Sequence, residues 1–64
     1  MTTTIDQIMA ADFYFCPHAT KVRQALVLAD QGDSAQARSM ASRLGQSLNA
    51  VDRYTLIDRV LTRF

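Results

Sequence analysis

The sequence predicts an all-α fold, a small bundle of three to four short helices with a central αα-hairpin. The 64 residues are 48% hydrophobic and include one proline and two glycines, a composition too apolar for a disordered tail and too poor in turn residues for a β-sandwich. Apolar side chains recur at helical spacing, and no run alternates with the period of a strand. The recurring apolar positions of the later half are Ala37, Met40, Ala41 and Leu44, then Leu56, Ile57, Val60, Leu61 and Phe64.

A capping-box signature marks the start of the first helix, which we expect to run from about Ile5 to about Tyr14. The Thr4 side chain can accept a hydrogen bond from the backbone of the third helical residue, and Gln7 at that position can reach back to Thr4. Ile8 and Met9 continue the apolar face of this helix.

The second helix is expected from about His18 to about Gln31. Pro17 fits the entry to a helix, and Gly32 supplies the stop. The run Ala25–Ala29 contains five consecutive apolar residues, which cover most of the helix circumference. This helix should therefore be the central one.

Asp33 or Ser34 caps the expected third helix, which continues through about Leu44 to a break at Gly45. The turn at residues 32–37 resembles the inter-helix turn of a tetratricopeptide-type hairpin, in which small residues allow facing helices to pack closely. The resemblance covers one hairpin, roughly residues 20–45, and a generic αα-hairpin is consistent with the same residues.

Asn49, followed three residues later by Asp52, resembles a capping box for a fourth helix from about Ala50 to about Arg63. The four expected helices account for nearly the whole chain. A length of 64 residues allows one domain, so we assign residues 1–64 to a single helical domain.

The small size of the domain predicts association with another chain. A chain of this length buries only about 60% of the surface that it exposes when unfolded. One cysteine excludes an internal disulfide, and no set of four ligands for a structural zinc is present. We therefore expect a homo- or hetero-oligomer and no cofactor. The absence of a run of about 20 apolar residues predicts no membrane partner, and we expect a cytoplasmic protein.

Charge is distributed unevenly along the chain. Residues 1–33 carry two cations against four aspartates, net −2, whereas residues 34–64 carry five arginines against two aspartates, net +3. Arginine suits both phosphate contacts and protein interfaces, so the asymmetry favours an acidic partner without naming its class.

Two apolar segments are candidates for binding a protein partner. Phe13, Tyr14 and Phe15 point in directions about 100° apart on a helix, so at least one should stay exposed unless another chain covers it. In the alternative interpretation Phe13 and Phe15 fill the core and Tyr14 keeps its hydroxyl in water. The second candidate is the apolar stripe of the fourth helix, from which we select Leu56, Val60, Leu61 and Phe64.

Residues 40–54 also resemble a DNA-binding helix-turn-helix. In this interpretation Gly45 lies in the turn, and Val51 and Tyr54 face the core. The residues that it places near DNA are Ser47, Leu48, Asn49 and Arg53, of which Ser47, Asn49 and Arg53 carry the proposed contacts. A net charge of only +1 is small for a nucleic-acid-binding domain.

No catalytic constellation is recognisable. Cys16 beside His18 is the one pair with nucleophile chemistry, and a buried structural cysteine is the preferred interpretation. We therefore expect a non-enzymatic protein-protein interaction module, such as an adaptor, chaperone or regulatory subunit, that binds through apolar helix faces. The alternative is a helix-turn-helix DNA-binding transcriptional regulator.

Overall fold

A computed structural model describes residues 4–62, which form four helices and no strand. The helices are α1 (Ile5–Asp12), α2 (Ala19–Asp30), α3 (Ser34–Gly45) and α4 (Ala50–Thr62). The predicted all-α fold is confirmed.

The capping box at the start of α1 forms as expected. The backbone N–H of Gln7 donates to Thr4 Oγ1 at 3.1 Å, and the N–H of Thr4 donates to Gln7 Oε1 at 2.9 Å. The helix ends at Asp12, two residues before the expected Tyr14, because Phe13 adopts non-helical dihedrals of φ −129° and ψ 24°. This early end leaves Tyr14 and Phe15 in the turn that leads to α2.

A left-handed glycine ends α2. Gly32 has φ 88°, its N–H donates to Ala29 O at 3.1 Å, and the next N–H, of Asp33, donates to Leu28 O at 3.0 Å. This pair of bonds is the Schellman pattern, which satisfies carbonyls that a helix end otherwise leaves free. Asp33 then caps α3 through its carboxylate, which accepts from the N–H of Gln36 at 3.3 Å.

The core is built around α2, which packs against each of the other three helices, as expected. The facing sides of α2 and α3 bury Ala25, Ala29, Ala37 and Ala41, small residues that let the two helices approach closely. The remaining buried side chains include Ile8, Met9, Phe13, Val22, Leu26, Leu44, Leu56 and Val60. The central αα-hairpin is therefore formed by α2 and α3.

The connection between α3 and α4 starts later than expected. Gly45 is the last residue of α3 and is buried, so the turn comprises residues 46–49. Asn49 caps α4: its Oδ1 accepts from the N–H of Asp52 at 2.8 Å, and its Nδ2 donates to Asp52 Oδ2 at 3.2 Å. Arg63, the expected end of the last helix, lies outside the described residues.

Candidate functional site

Large apolar side chains that are exposed in the described part of the chain lie on two surfaces. The first, which we call the aromatic loop, consists of Tyr14 and Phe15 between α1 and α2. The second consists of Val51, Tyr54 and Leu61 on α4, and together with the exposed Asp58 between them we call it the outer stripe of α4. Exposed apolar side chains that cluster in this way are typical of interaction surfaces, whereas scattered ones are not.

The aromatic loop projects two rings into solvent from a fixed base. Tyr14 is 72% exposed and Phe15 is 91% exposed, whereas Phe13 is buried in the core. The two exposed rings pack edge to face, with centroids 4.6 Å apart and planes at 89°. The alternative in which Phe15 fills the core is wrong, because the chain has already left the helix at Phe13 and turns the next two side chains outward.

Backbone hydrogen bonds hold the base of the aromatic loop. The N–H of Cys16 donates to Phe13 O at 3.1 Å, and the N–H of Ala19 donates to Cys16 O at 3.2 Å. Phe13 lies in the core, and Cys16 and Ala19 pack against it. Both ends of the loop are therefore attached to the folded domain. Because the loop backbone is already ordered, it loses less conformational entropy when a partner binds.

A cleft of about 370 Å³ between α1 and α2 adjoins the aromatic loop and is lined in part by Tyr14. Ala10 and Ala19 contribute apolar surface to its lining, and the buried Met9 and Phe13 lie beneath it. At the same cleft Arg23 Nη1 lies 2.7 Å from Asp6 Oδ1, so these two charges neutralise each other. The cleft can accept an apolar side chain without exposing it to an unpaired charge.

The outer stripe of α4 lies opposite the helix face that enters the core. Val51 is 74% exposed, Tyr54 is 65% exposed and Leu61 is 54% exposed. At about 100° per residue, Leu56 and Val60, which are buried, point to the other side of the helix. This helix therefore has apolar side chains on two faces, and its own core covers only one.

The partner-binding residues selected from the sequence are divided by the fold. Phe13, Leu56 and Val60 are buried in the core, at most 2% exposed, so a partner cannot reach them without unfolding the domain. Tyr14, Phe15 and Leu61 are exposed, and Phe64 lies outside the described residues. Phe13, Leu56 and Val60 are therefore core residues and not partner-binding residues as expected, because the strongest apolar periodicity marks the face that the domain itself covers.

Val51 and Tyr54 are exposed on α4 but were not among the partner-binding residues predicted from the sequence. The helix-turn-helix resemblance places both residues toward the core, yet both are more than half exposed. That placement is wrong. The spacing of the apolar residues Val51, Tyr54 and Leu61, with intervals of 3 and 7 residues, was the signal that could have revealed the second face of α4.

The residues proposed to contact DNA are exposed, but two of them have structural contacts. The Asn49 side chain uses both its oxygen and its nitrogen on Asp52 at the start of α4. The guanidinium of Arg53 lies over the Tyr54 ring, 5.2 Å from its centroid. Ser47 lines a cleft of about 320 Å³ together with Lys21 and Arg43. Leu48, which the same interpretation exposes to DNA, is half-buried against the core.

Cys16 is a free, half-buried thiol, and His18, two residues later, is also half-buried. Within residues 4–62 no three or more His, Cys, Asp or Glu side chains are grouped so that they could hold a metal ion. Across the same residues, no helix has the length and apolar character needed to cross a membrane.

Comparison with known proteins finds no matching family model, no matching curated protein and no matching solved structure.

Proposed function

We propose that the protein is a small non-enzymatic protein-protein interaction module, an adaptor, chaperone or regulatory subunit, that binds its partner through the aromatic loop. The observation that carries the proposal is the exposure of Phe15, 91%, beside Tyr14, 72%. Aromatic side chains are enriched at the centres of protein interfaces and contribute much of the binding free energy there. Two adjacent aromatic rings held in solvent by a folded base have the properties of such a centre.

The neighbouring cleft indicates the chemistry of the partner. Its lining combines apolar groups of Ala10 and Tyr14 with the paired charges of Asp6 and Arg23. An apolar side chain of the partner would enter the cleft while the partner backbone or flanking residues pack against Phe15. An amphipathic helix presents side chains in this way, with apolar anchors on one face and polar groups at the rim.

The fixed base of the loop favours binding through this surface. Phe13 anchors one end in the core, and Cys16 packs against the core at the other. The loop backbone therefore needs little further ordering when a partner buries the two exposed rings. A smaller entropic cost then opposes the favourable contacts, and the affinity is higher.

We also propose that the protein acts in the cytoplasm. Cys16 is a free thiol, and unpaired cysteines are usual in reducing compartments.

Site-specific photo-crosslinking tests the proposed surface. Phe15 is replaced by a photoreactive benzoylphenylalanine, and the matched control carries the same group at Gln36, an exposed position on α3. After irradiation in cells, we expect a defined adduct from position 15 that is absent from position 36, and mass spectrometry identifies the partner. Identical adducts from the two positions would argue against a specific surface at the loop.

The identified partner is then titrated against the purified protein. Loss of an aromatic hot spot costs roughly 2 kcal/mol or more, so the double variant Tyr14→Ser/Phe15→Ser should bind at least about tenfold more weakly. Circular dichroism should be unchanged, because both side chains are exposed. Unchanged affinity in the double variant would contradict the proposed function.

A further inference from the structure

We infer that the outer stripe of α4 is the contact surface of a homodimer, in which the α4 helices of two copies pack antiparallel around a two-fold axis. This surface is separate from the aromatic loop, so the inference does not rest on the proposed function. The occupant is a second copy of this chain, and the reasons are the symmetric spacing of the stripe and the complementarity of its polar groups.

The spacing of the stripe is the same in both directions. Val51, Tyr54, Asp58 and Leu61 are separated by 3, 4 and 3 residues, which is the spacing of successive seam positions in a coiled coil. When two copies run antiparallel with the axis at the level of position 56, Val51 faces Leu61 of the partner subunit. In the same register Tyr54 faces Asp58 of the partner subunit, so every position of the stripe meets another.

The polar pair selects the antiparallel direction. In this register the Tyr54 hydroxyl can donate a hydrogen bond to the carboxylate of Asp58 of the partner subunit, and the two-fold axis generates this bond twice. In a parallel pairing Asp58 would face Asp58 of the partner subunit, and two carboxylates would repel each other. Only the antiparallel pairing gives each carboxylate a donor.

The positions of α4 that flank the stripe are uncharged. The residues on either side of it are Ala50, Thr55, Ile57 and Thr62. Asp52 and Arg59 lie farther round the helix, at about 100° per residue, and Arg59 forms an ion pair with Asp12 at 3.2 Å within the same chain. Two cations do border the stripe: the Arg53 guanidinium lies over the Tyr54 ring, and Arg38 of α3 lines a cleft with Leu61. Apolar layers close both ends of the contact, and the two bordering cations are of the sign that attracts Asp58 of the partner subunit.

The length of α4 sets the expected strength. Its 13 residues rise about 1.5 Å each, so the contact is roughly 20 Å long. A contact of this length is small, and small interfaces are typical of weak, reversible association. The dimer should therefore dissociate on dilution.

Sedimentation over a wide concentration range tests the dimer. Wild-type protein should shift from monomer to dimer as its concentration rises. Leu61→Asp places a carboxylate in an apolar layer and should raise the midpoint at least about tenfold. Gln36→Asp makes the same change of charge at an exposed site on α3 and should leave the midpoint unchanged. A wild-type monomer at every concentration, or equal midpoints in all three proteins, would overturn the inference.

Cross-linking tests the direction of the helices. Val51→Cys and Leu61→Cys are prepared separately in a Cys16→Ser background, mixed, and treated with a short bismaleimide. In the antiparallel dimer position 51 of one subunit lies beside position 61 of the other. Two copies of position 51, or of position 61, are about 15 Å apart along the axis, which is ten residues at about 1.5 Å each. Adducts between the two variants should therefore dominate over adducts of either variant with itself. Predominant self-adducts of each variant would indicate a parallel pairing and refute the register.

The two surfaces can be tested apart. Tyr14→Ser/Phe15→Ser should leave the dimer midpoint unchanged, and Leu61→Asp should leave the adduct from position 15 unchanged. Failure of the dimer is therefore distinguishable from failure of the aromatic loop as a partner site.

Discussion

Gly45 at the end of α3 lies directly under the side-chain stem of Arg53 on α4. A Cβ at position 45 would lie 2.9 Å from Arg53 Cγ and 3.0 Å from Arg53 Cδ, closer than unstrained contacts allow. The guanidinium of the same arginine extends over the Tyr54 ring. Arg53 therefore covers the end of α3 with its methylene groups, although much of its side chain is exposed.

This contact predicts that substitutions at the two positions are not additive. Replacing a helical glycine with alanine normally stabilises by about 0.8–1 kcal/mol, but in the native chain the new methyl displaces the Arg53 stem. Gly45→Ala alone should therefore have a small effect on the free energy of unfolding. In an Arg53→Ala background the same change should stabilise by about 0.5–1 kcal/mol. Urea denaturation of the four proteins measures the cycle, and equal effects in both backgrounds would contradict the contact.

The second glycine should respond differently. Gly32 has φ 88°, and nothing lies within 4 Å of a Cβ built at that position, so the cost of a side chain there comes from the backbone. Gly32→Ala should destabilise by about 1–2 kcal/mol. Gly32→Asn should cost less, because asparagine tolerates the left-handed region better. Thermal denaturation of both variants provides the test, and an equal cost for alanine and asparagine would argue against a backbone origin.

The two faces of α4 predict opposite responses to the same truncation. Leu56 is fully buried, whereas Leu61 is 54% exposed. Leu56→Ala should lower the free energy of unfolding by about 2–5 kcal/mol. Leu61→Ala should change it by less than about 1 kcal/mol in samples dilute enough to be monomeric. Chemical denaturation at low concentration compares them, and a large loss in Leu61→Ala would show that this residue belongs to the core.

Much of the fold follows from local signals that the sequence displays. Four residues mark helix ends in the sequence: the caps Thr4, Asp33 and Asn49 and the stop Gly32. The helix ends predicted from them agree with the observed ends within about one residue, because each acts through hydrogen bonds or dihedrals of its immediate neighbours. The central position of α2 follows from its nearly continuous apolar surface.

The candidate surfaces were harder to predict, because they depend on how elements pack. The run Phe13–Phe15 does not reveal where α1 ends, and that end decides which rings enter the core. On α4 two sets of apolar residues have helical spacing, and periodicity alone does not show which set faces α2 and α3. In the structure Leu56 and Val60 face the core, and Val51 and Tyr54 face the solvent.

Cys16 should behave as a structural residue. It is half-buried and packs against the core beneath the aromatic loop. Cys16→Ser should destabilise modestly, by about 1 kcal/mol, because a hydroxyl replaces a side chain that behaves as a small hydrophobe. Alkylation of the native thiol should be slower than alkylation of the urea-unfolded chain. Native and unfolded rates that match would instead indicate a freely accessible thiol.

The exposed arginine on α4 also separates protein binding from DNA binding. Arg53 is engaged with Gly45 and Tyr54, and Asn49 is engaged with Asp52, so we expect neither to read base edges. Any binding to duplex DNA should be weak, independent of sequence and lost as salt rises. Arg53→Ala should affect it no more than Arg38→Ala, a matched removal of an exposed arginine on α3. A base-reading arginine would cost about 1–3 kcal/mol at its preferred site when removed. One outcome would favour the DNA-binding regulator over the interaction module. The protein would bind duplex DNA sequence-selectively at physiological salt, and Arg53→Ala would abolish this binding with unchanged circular dichroism, whereas Arg38→Ala would retain it.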